Sequence, residues 1–291
     1  MFRGSAIAHD ATMRTITCIR RTTAALALLG LGTTMALAPP AARAADAPTK
    51  LSVSFDGTKL TGFPDKLKGG LTEITMKNTG KFGVDLELLG VQGGHTDDDF
   101  KKALAGDGPP KWISGAGGVA TTAPGGTNFV LANLDKGNYY WTVSSTGEEL
   151  NGKQPLGKLS VTGAKSASEP SGGTATITTK EYGFQTKGLK AGVNSVTAIN
   201  GGKEWHHVIM AKIKAGKTIA DVKKELTGNL QGPPQSIDDA STQAMPIMNP
   251  GVTYVTQITL QKGSYALVCF LPDKNGKPHV MLGMINEVTI G

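Results

Sequence analysis

Cys269-Phe-Leu-Pro-Asp-Lys-Asn-Gly-Lys-Pro-His279-Val-Met-Leu-Gly-Met284 brings a thiol, an imidazole and a thioether into sixteen residues. Cys269 is the only cysteine outside the leader-like first 44 residues, so no disulfide within the remaining chain can occupy it. Thiolate, imidazole and a weak thioether are the donors of a mononuclear copper site that still needs one more histidine. Upstream, Trp205-His206-His207-Val208 offers that histidine twice. Tyr265–Cys269 reads as a strand, a stiff element for the thiol. Gly276 and Pro278 shape the return of the loop to His279, and Phe270, Leu271, Val280 and Leu282 supply an apolar shield. Strand parity does not separate His206 from His207, because both faces of 205–211 include apolar residues.

Outward from this stretch the chain reads as all-β. Leu51–Phe55, Leu71–Met76, Phe129–Leu131, Tyr139–Val143 and Leu159–Val161 are short runs of β-branched and aromatic residues bounded by Gly, Asn and Pro. Asp97–Leu104 is the exception, a short helix with acids at its start and lysines after them. Residues 164–174 have the composition of a linker, and the texture of the first half then returns. The halves overlay. Asn78-Thr-Gly-Lys81 matches Asn200-Gly-Gly-Lys203, and Asp99-Phe-Lys-Lys matches Asp221-Val-Lys-Lys at the same offset. Leu134-Asp-Lys-Gly-Asn-Tyr139 matches Leu260-Gln-Lys-Gly-Ser-Tyr265 further on. The expectation is a tandem repeat of two β-sandwich domains, 45–163 and 175–291, each with a short helix.

The overlay doubles as an internal control. Val84 and Asp85 stand opposite His206 and His207, Val143 opposite Cys269, Lys153 opposite His279 and Lys158 opposite Met284. A role confined to the fold would show in both halves, whereas the donors occur only in the second. On these residues the second half resembles the cupredoxins, the plastocyanin-like blue-copper proteins, and the first half a ligand-free copy of the same Greek-key fold. His279 and Met284 stand five apart as in plastocyanin. Asn200-Gly-Gly-Lys-Glu-Trp-His206-His207 is similar to the turn and strand that deliver the family's first histidine. The resemblance implies His206, Cys269 and His279 as equatorial copper ligands and Met284 as the axial one. His207 is the alternative to His206, and Met281 to Met284. The nine residues between Cys269 and His279 exceed the plastocyanin spacing, and loops nearly this long occur in the copper site of nitrite reductases.

The first 44 residues read as a secretory signal: Arg14, Arg20 and Arg21, an apolar run over Thr22–Leu37, then Ala42-Arg-Ala44 before a cut. Export is expected, to a periplasmic or extracellular space, with no membrane span after cleavage. Of the net charge of +7, the leader holds +4, and the remaining lysines are scattered, which argues against nucleic acid. The partner expected is a redox protein of unknown identity. Met245 and Met248 read as loop filler and His95 as a lone surface residue. Only His95, His206, His207 and His279 lie beyond the leader, too few for a trinuclear oxidase centre or a second catalytic copper, so no enzyme is expected. The expected function is one-electron transfer by Cu(II)/Cu(I) cycling, the alternatives being a copper carrier or sensor, or a metal-free interaction module.

Overall fold

The computed structural model describes residues 47–104, 110–145, 154–228 and 234–291; the leader reading over 1–44 lies outside them. The first half supplies β1 (Thr49–Phe55), β2 (Leu60–Thr61), β3 (Lys66–Lys68), β4 (Gly70–Asn78), β5 (Val84–Val91), α1 (Asp97–Leu104), β6 (Ile113–Thr122), β7 (Thr127–Leu134), β8 (Gly137–Ser145) and β9 (Leu156–Thr162). The second supplies β10 (Ala175–Lys180), β11 (Gly183–Lys187), β12 (Gly192–Asn200), β13 (His206–Ile213), α2 (Ile219–Thr227), β14 (Ile237–Met248), β15 (Thr253–Leu260), β16 (Gly263–Val268) and β17 (Ile285–Ile290), with a 3-10 turn at His279–Leu282. All five strand runs read from the sequence lie within strands, and the helix falls where its acids place it. The N-terminus of α1 is held more specifically than by charge: Thr96 N–H donates to Asp99 Oδ2 and Asp99 N–H to Thr96 Oγ1. Thr218 and Asp221 make the same capping box on α2.

The strands form two sheets, ordered β11-β10-β12-β15-β7-β4-β1-β2 and β17-β16-β13-β14-β6-β5-β8-β9-β3. Each sheet runs unbroken through both halves of the chain. Period-two alternation builds the interior: in β4, Thr72, Ile74, Met76 and Asn78 are buried while their neighbours are less so. One core cluster takes Ile74, Val130 and Val196 from the first sheet and Leu86, Val119, Val208 and Leu267 from the second, the signature of a β-sandwich. Met245 and Met248 are corrected here: both sit in β14, buried in this core, as flexible apolar filler of a strand rather than of a loop.

The halves join along β7–β15, where Val130 pairs with Thr256, and along β6–β14, where Ala116 pairs with Met248. Side chains reinforce the seam. Asn128 Nδ2 donates to Gln257 O at 3.0 Å, and Thr256 Oγ1 donates to Phe129 O at 2.7 Å while accepting Ala120 N–H at 3.1 Å. The close approach requires glycine at two positions. Gly117 has φ +85°, and a Cβ there would lie 2.5 Å from the Tyr254 ring; one on Gly115 would lie 2.6 Å from Ile247. Residues 164–174 form no regular element, yet they are tied down: Asn133 Nδ2 donates to Ser166 O and Ser168 O, and Asn133 Oδ1 accepts Ser166 N–H.

Near the seam β5 carries two acids, Asp85 and Glu87, alternating with core residues Leu86 and Leu88. Burial pushes the Asp85 carboxyl up to about 7. Burial, with Asp85 beside it, pushes Glu87 up to about 8 against the Ile247 N–H that its carboxylate accepts at 3.0 Å. Both folded values exceed those of an unfolded chain, roughly 4. Their favourable contribution is thus complete below about pH 4 and is lost as pH rises through about 7 and about 8. Glu87→Gln, which keeps an acceptor for Ile247, is therefore expected to gain thermal stability relative to wild type as pH rises from about 4 to about 8. A thermal-denaturation series with the same slope in both proteins would refute a buried acid pair.

Candidate metal centre

His206 opens β13, Cys269 follows β16, and His279 starts the 3-10 turn beyond a nine-residue loop. The loop is closed by its own backbone. His279 N–H donates to Leu271 O at 2.8 Å, Gly276 N–H donates to Asp273 O at 3.0 Å, and Pro272 bridges Pro278. Gly276 takes φ +80° at this turn, as its choice in the sequence suggests. All three donor residues are fully buried. One ligand atom from each lies within 4.8 Å of the others, and no other such group of three exists among the described residues.

The donor chemistry fits a metal. Cys269 Sγ and His279 Nδ1 are 3.5 Å apart. A metal about 2.3 Å from sulfur and about 2.1 Å from nitrogen would hold two such ligands about 3.6–3.8 Å apart. Both ring nitrogens of His206 are buried without a hydrogen bond. A buried polar atom left in that state costs roughly 1–3 kcal/mol, which coordination would offset. Burial lowers the His206 and His279 titrations, so both rings are neutral and able to coordinate. Burial pushes the Cys269 thiol up to about 11, against the N–H groups of His207 and Leu271 that face it. Without metal the thiol keeps its proton, and coordination must displace it.

Met284 is buried and stitched to both neighbours: its N–H donates to His279 O at 3.0 Å, and its carbonyl accepts Cys269 N–H at 3.4 Å. Met281, the alternative, is 42% exposed. His207 is not in the cluster. Its Nε2 accepts the Phe270 N–H at 2.9 Å, fixing the turn after Cys269, and burial pushes its titration down to about 4. Phe270, read as part of a shield, is 42% exposed, whereas Val280 is buried. In the first half, Val84 and Val143 are core residues and Lys158 pairs with Asp97 at 2.6 Å; Lys153 lies outside the described residues. His95 is exposed, as read, but not lone: it stacks on Trp112 at 3.9 Å and lines a cavity of about 800 Å³ with Asp97, Tyr140 and Lys158.

Sequence reading missed the groups behind the histidines. His279 Nε2 lies 3.0 Å from Glu204 Oε2, and His206 Nε2 lies 3.5 Å from Glu181 Oε1. Tyr182, next to Glu181 in the β10–β11 turn, packs its ring 5.1 Å from that of His279 and donates its hydroxyl to Glu204. Asn200 latches the loop before β13 by donating to Glu204 O and Met248 O. The signal for Glu204 was its place two residues before His206; nothing in the sequence marked Glu181.

No family model matches the chain, and no curated protein matches it. Solved structures do. Auracyanin A, a "blue" copper protein from Chloroflexus aurantiacus, is similar over 40% of this chain and 100% of its own, at 19% identity and TM-score 0.28. A copper-containing nitrite reductase from Thermus scotoductus is similar over 83% of this chain and 61% of its own, at 12% identity and TM-score 0.21. A laccase from Botrytis aclada is similar over 84% and 52%, at 12% identity and TM-score 0.24. The first two carry the names of copper proteins, and the described residues of this chain hold a His–Cys–His cluster. The expectation that the chain is not an enzyme is corrected: the structures similar over most of its length carry the names of enzymes. Counting histidines bears only on a second centre built from this chain alone, not on an activity at the first. Among the described residues, no helix is long and apolar enough to cross a membrane.

His206→Ala and His207→Ala are expected to differ sharply in copper titrations. The first should lose at least tenfold in affinity, while the second keeps the stoichiometry. Equal losses would place both rings in the site.

Proposed function

We propose that this chain is an exported electron-transfer protein whose second half holds one mononuclear type 1 copper, the first half being a ligand-free domain of the same Greek-key fold in tandem. What carries the reading is the convergence of His206, Cys269 and His279 in a fully buried cluster whose His206 ring has no hydrogen bond. His206, Cys269 and His279 would hold the copper, with Met284 as a weaker fourth donor. Copper supplies the one-electron Cu(II)/Cu(I) couple. The chain supplies a set of mixed hardness that suits both states and a scaffold that limits movement between them. Strand β13 and the end of β16 hold the first two donors, and the loop closed at Leu271 and Asp273 returns the third.

The tandem reading draws support from the order of the strands. From the seam outward, β15-β12-β10-β11 mirrors β7-β4-β1-β2, and β14-β13-β16-β17 mirrors β6-β5-β8-β9. The first domain is a docking or spacing module for a redox partner protein.

A visible spectrum with Cu(II), before and after ascorbate, tests the reading. A strong thiolate-to-copper band is expected that bleaches on reduction, returns on reoxidation and vanishes in Cys269→Ser. A colourless wild type, or a band that survives Cys269→Ser, would overturn it.

A further inference from the structure

We propose that Glu204 is a positioning residue for the copper histidine His279, fixing which ring nitrogen it presents, and that Glu181 adds negative charge beside His206, the two together biasing the centre toward its oxidised state. The inference rests on the copper reading above. Glu204 Oε2 takes the Nε2 side of His279 at 3.0 Å, which leaves Nδ1 for the cluster, 3.5 Å from Cys269 Sγ. Glu181 Oε1 faces Nε2 of His206 at 3.5 Å. Neither carboxylate is loose. Glu181 accepts the N–H groups of Lys203 and of Glu204, the latter at 2.8 Å. Glu204 accepts the Tyr182 hydroxyl at 3.2 Å, and its carbonyl accepts Asn200 Nδ2 at 2.8 Å. The β10–β11 turn and the loop before β13 thus grip one another over the histidines. Both glutamate side chains are about three-quarters buried, 28% and 24% exposed, so water screens their charge incompletely.

The first half shows that this arrangement is not required by the fold. Asn78 Nδ2 donates to Phe82 O and Thr122 O, and Asn78 Oδ1 accepts Gly80 N–H. Asn200 repeats the pattern on Glu204 O, Met248 O and Gly202 N–H. The latch is common to both halves, but an exposed phenylalanine, Phe82, stands where the second half has Glu204. The backbone needs the carbonyl at that position and no carboxylate. An imidazole donating its distal N–H to a carboxylate is oriented in one tautomer and becomes a stronger donor at its other nitrogen. Stronger donation and nearby negative charge both favour the more highly charged metal state.

The test uses the copper-loaded full chain and measures the midpoint potential and the visible band. Glu204→Gln keeps a hydrogen-bond acceptor and removes the charge. It is expected to keep the colour and to lower the Cu(II):Cu(I) affinity ratio about tenfold, a rise of about 59 mV. Glu181→Gln, tested separately, should move the potential in the same direction by less, given its longer contact, and stands in if the first variant does not fold. Glu204→Asp should recover part of the shift. Glu287→Gln, an exposed charge elsewhere, should leave the potential in place and separates a local effect from net charge. A coloured wild type with an unmoved potential in both Gln variants would overturn this proposal and leave the copper reading standing. A wild type colourless with Cu(II) would overturn both.

Discussion

The constraint on which the second half depends is the removal from water of two imidazoles and a thiol, one of the imidazoles, His206, without a hydrogen bond. A β-sandwich core tolerates polar groups when they are paired, as Asn78, Asn128 and Asn200 are paired here. His206 breaks that rule, and the break is placed where two other soft donors converge. The same desolvation that makes the apo site costly keeps the imidazoles neutral and raises the thiol, so a metal meets rings ready to coordinate and a thiol whose proton it must displace.

Around this constraint the scaffold is conservative. Asparagine latches before β5 and β13, capping boxes on α1 and α2, and hydrogen-bonded loops recur in both halves with the same partners. Chemistry is layered onto this frame through a few side chains: a histidine for Val84, a cysteine for Val143, a glutamate for Phe82. The seam makes the arrangement stiff, because β7–β15 and β6–β14 carry each sheet across without a break.

Much of this was legible in the sequence for identifiable reasons. The strands announced themselves as β-branched and aromatic runs between turn residues, and the donors by rarity, since a single cysteine near a histidine and a methionine stands out against the scattered lysines. His206 and His207 stayed ambiguous because β13 is apolar on both faces: Val208 and Met210 enter the main core, while Ile209 packs with Val268, Val280 and Ile285. Glu181 was invisible, and Glu204 was marked only by its nearness to His206, because a glutamate in a turn is ordinarily a solvated charge, and only the meeting of two loops distant in sequence gives these two a task. The seam was hidden too, since strand register is set by pairing and glycine clearance rather than by composition.

The placement of the donors along the chain has a consequence for the unfolded state. Cys269, His279 and Met284 share sixteen residues, so even an unfolded chain carries most of a chelator, and closing so short a loop costs little entropy. Only His206 comes from far upstream. Copper captured by the short segment would stabilise the unfolded chain as well as the folded one, and a ligand that binds both states shifts their balance by the difference alone. On the copper reading the metal would secure the fold by less than its affinity for the finished site, by a share that rests on the one ring that β13 must deliver.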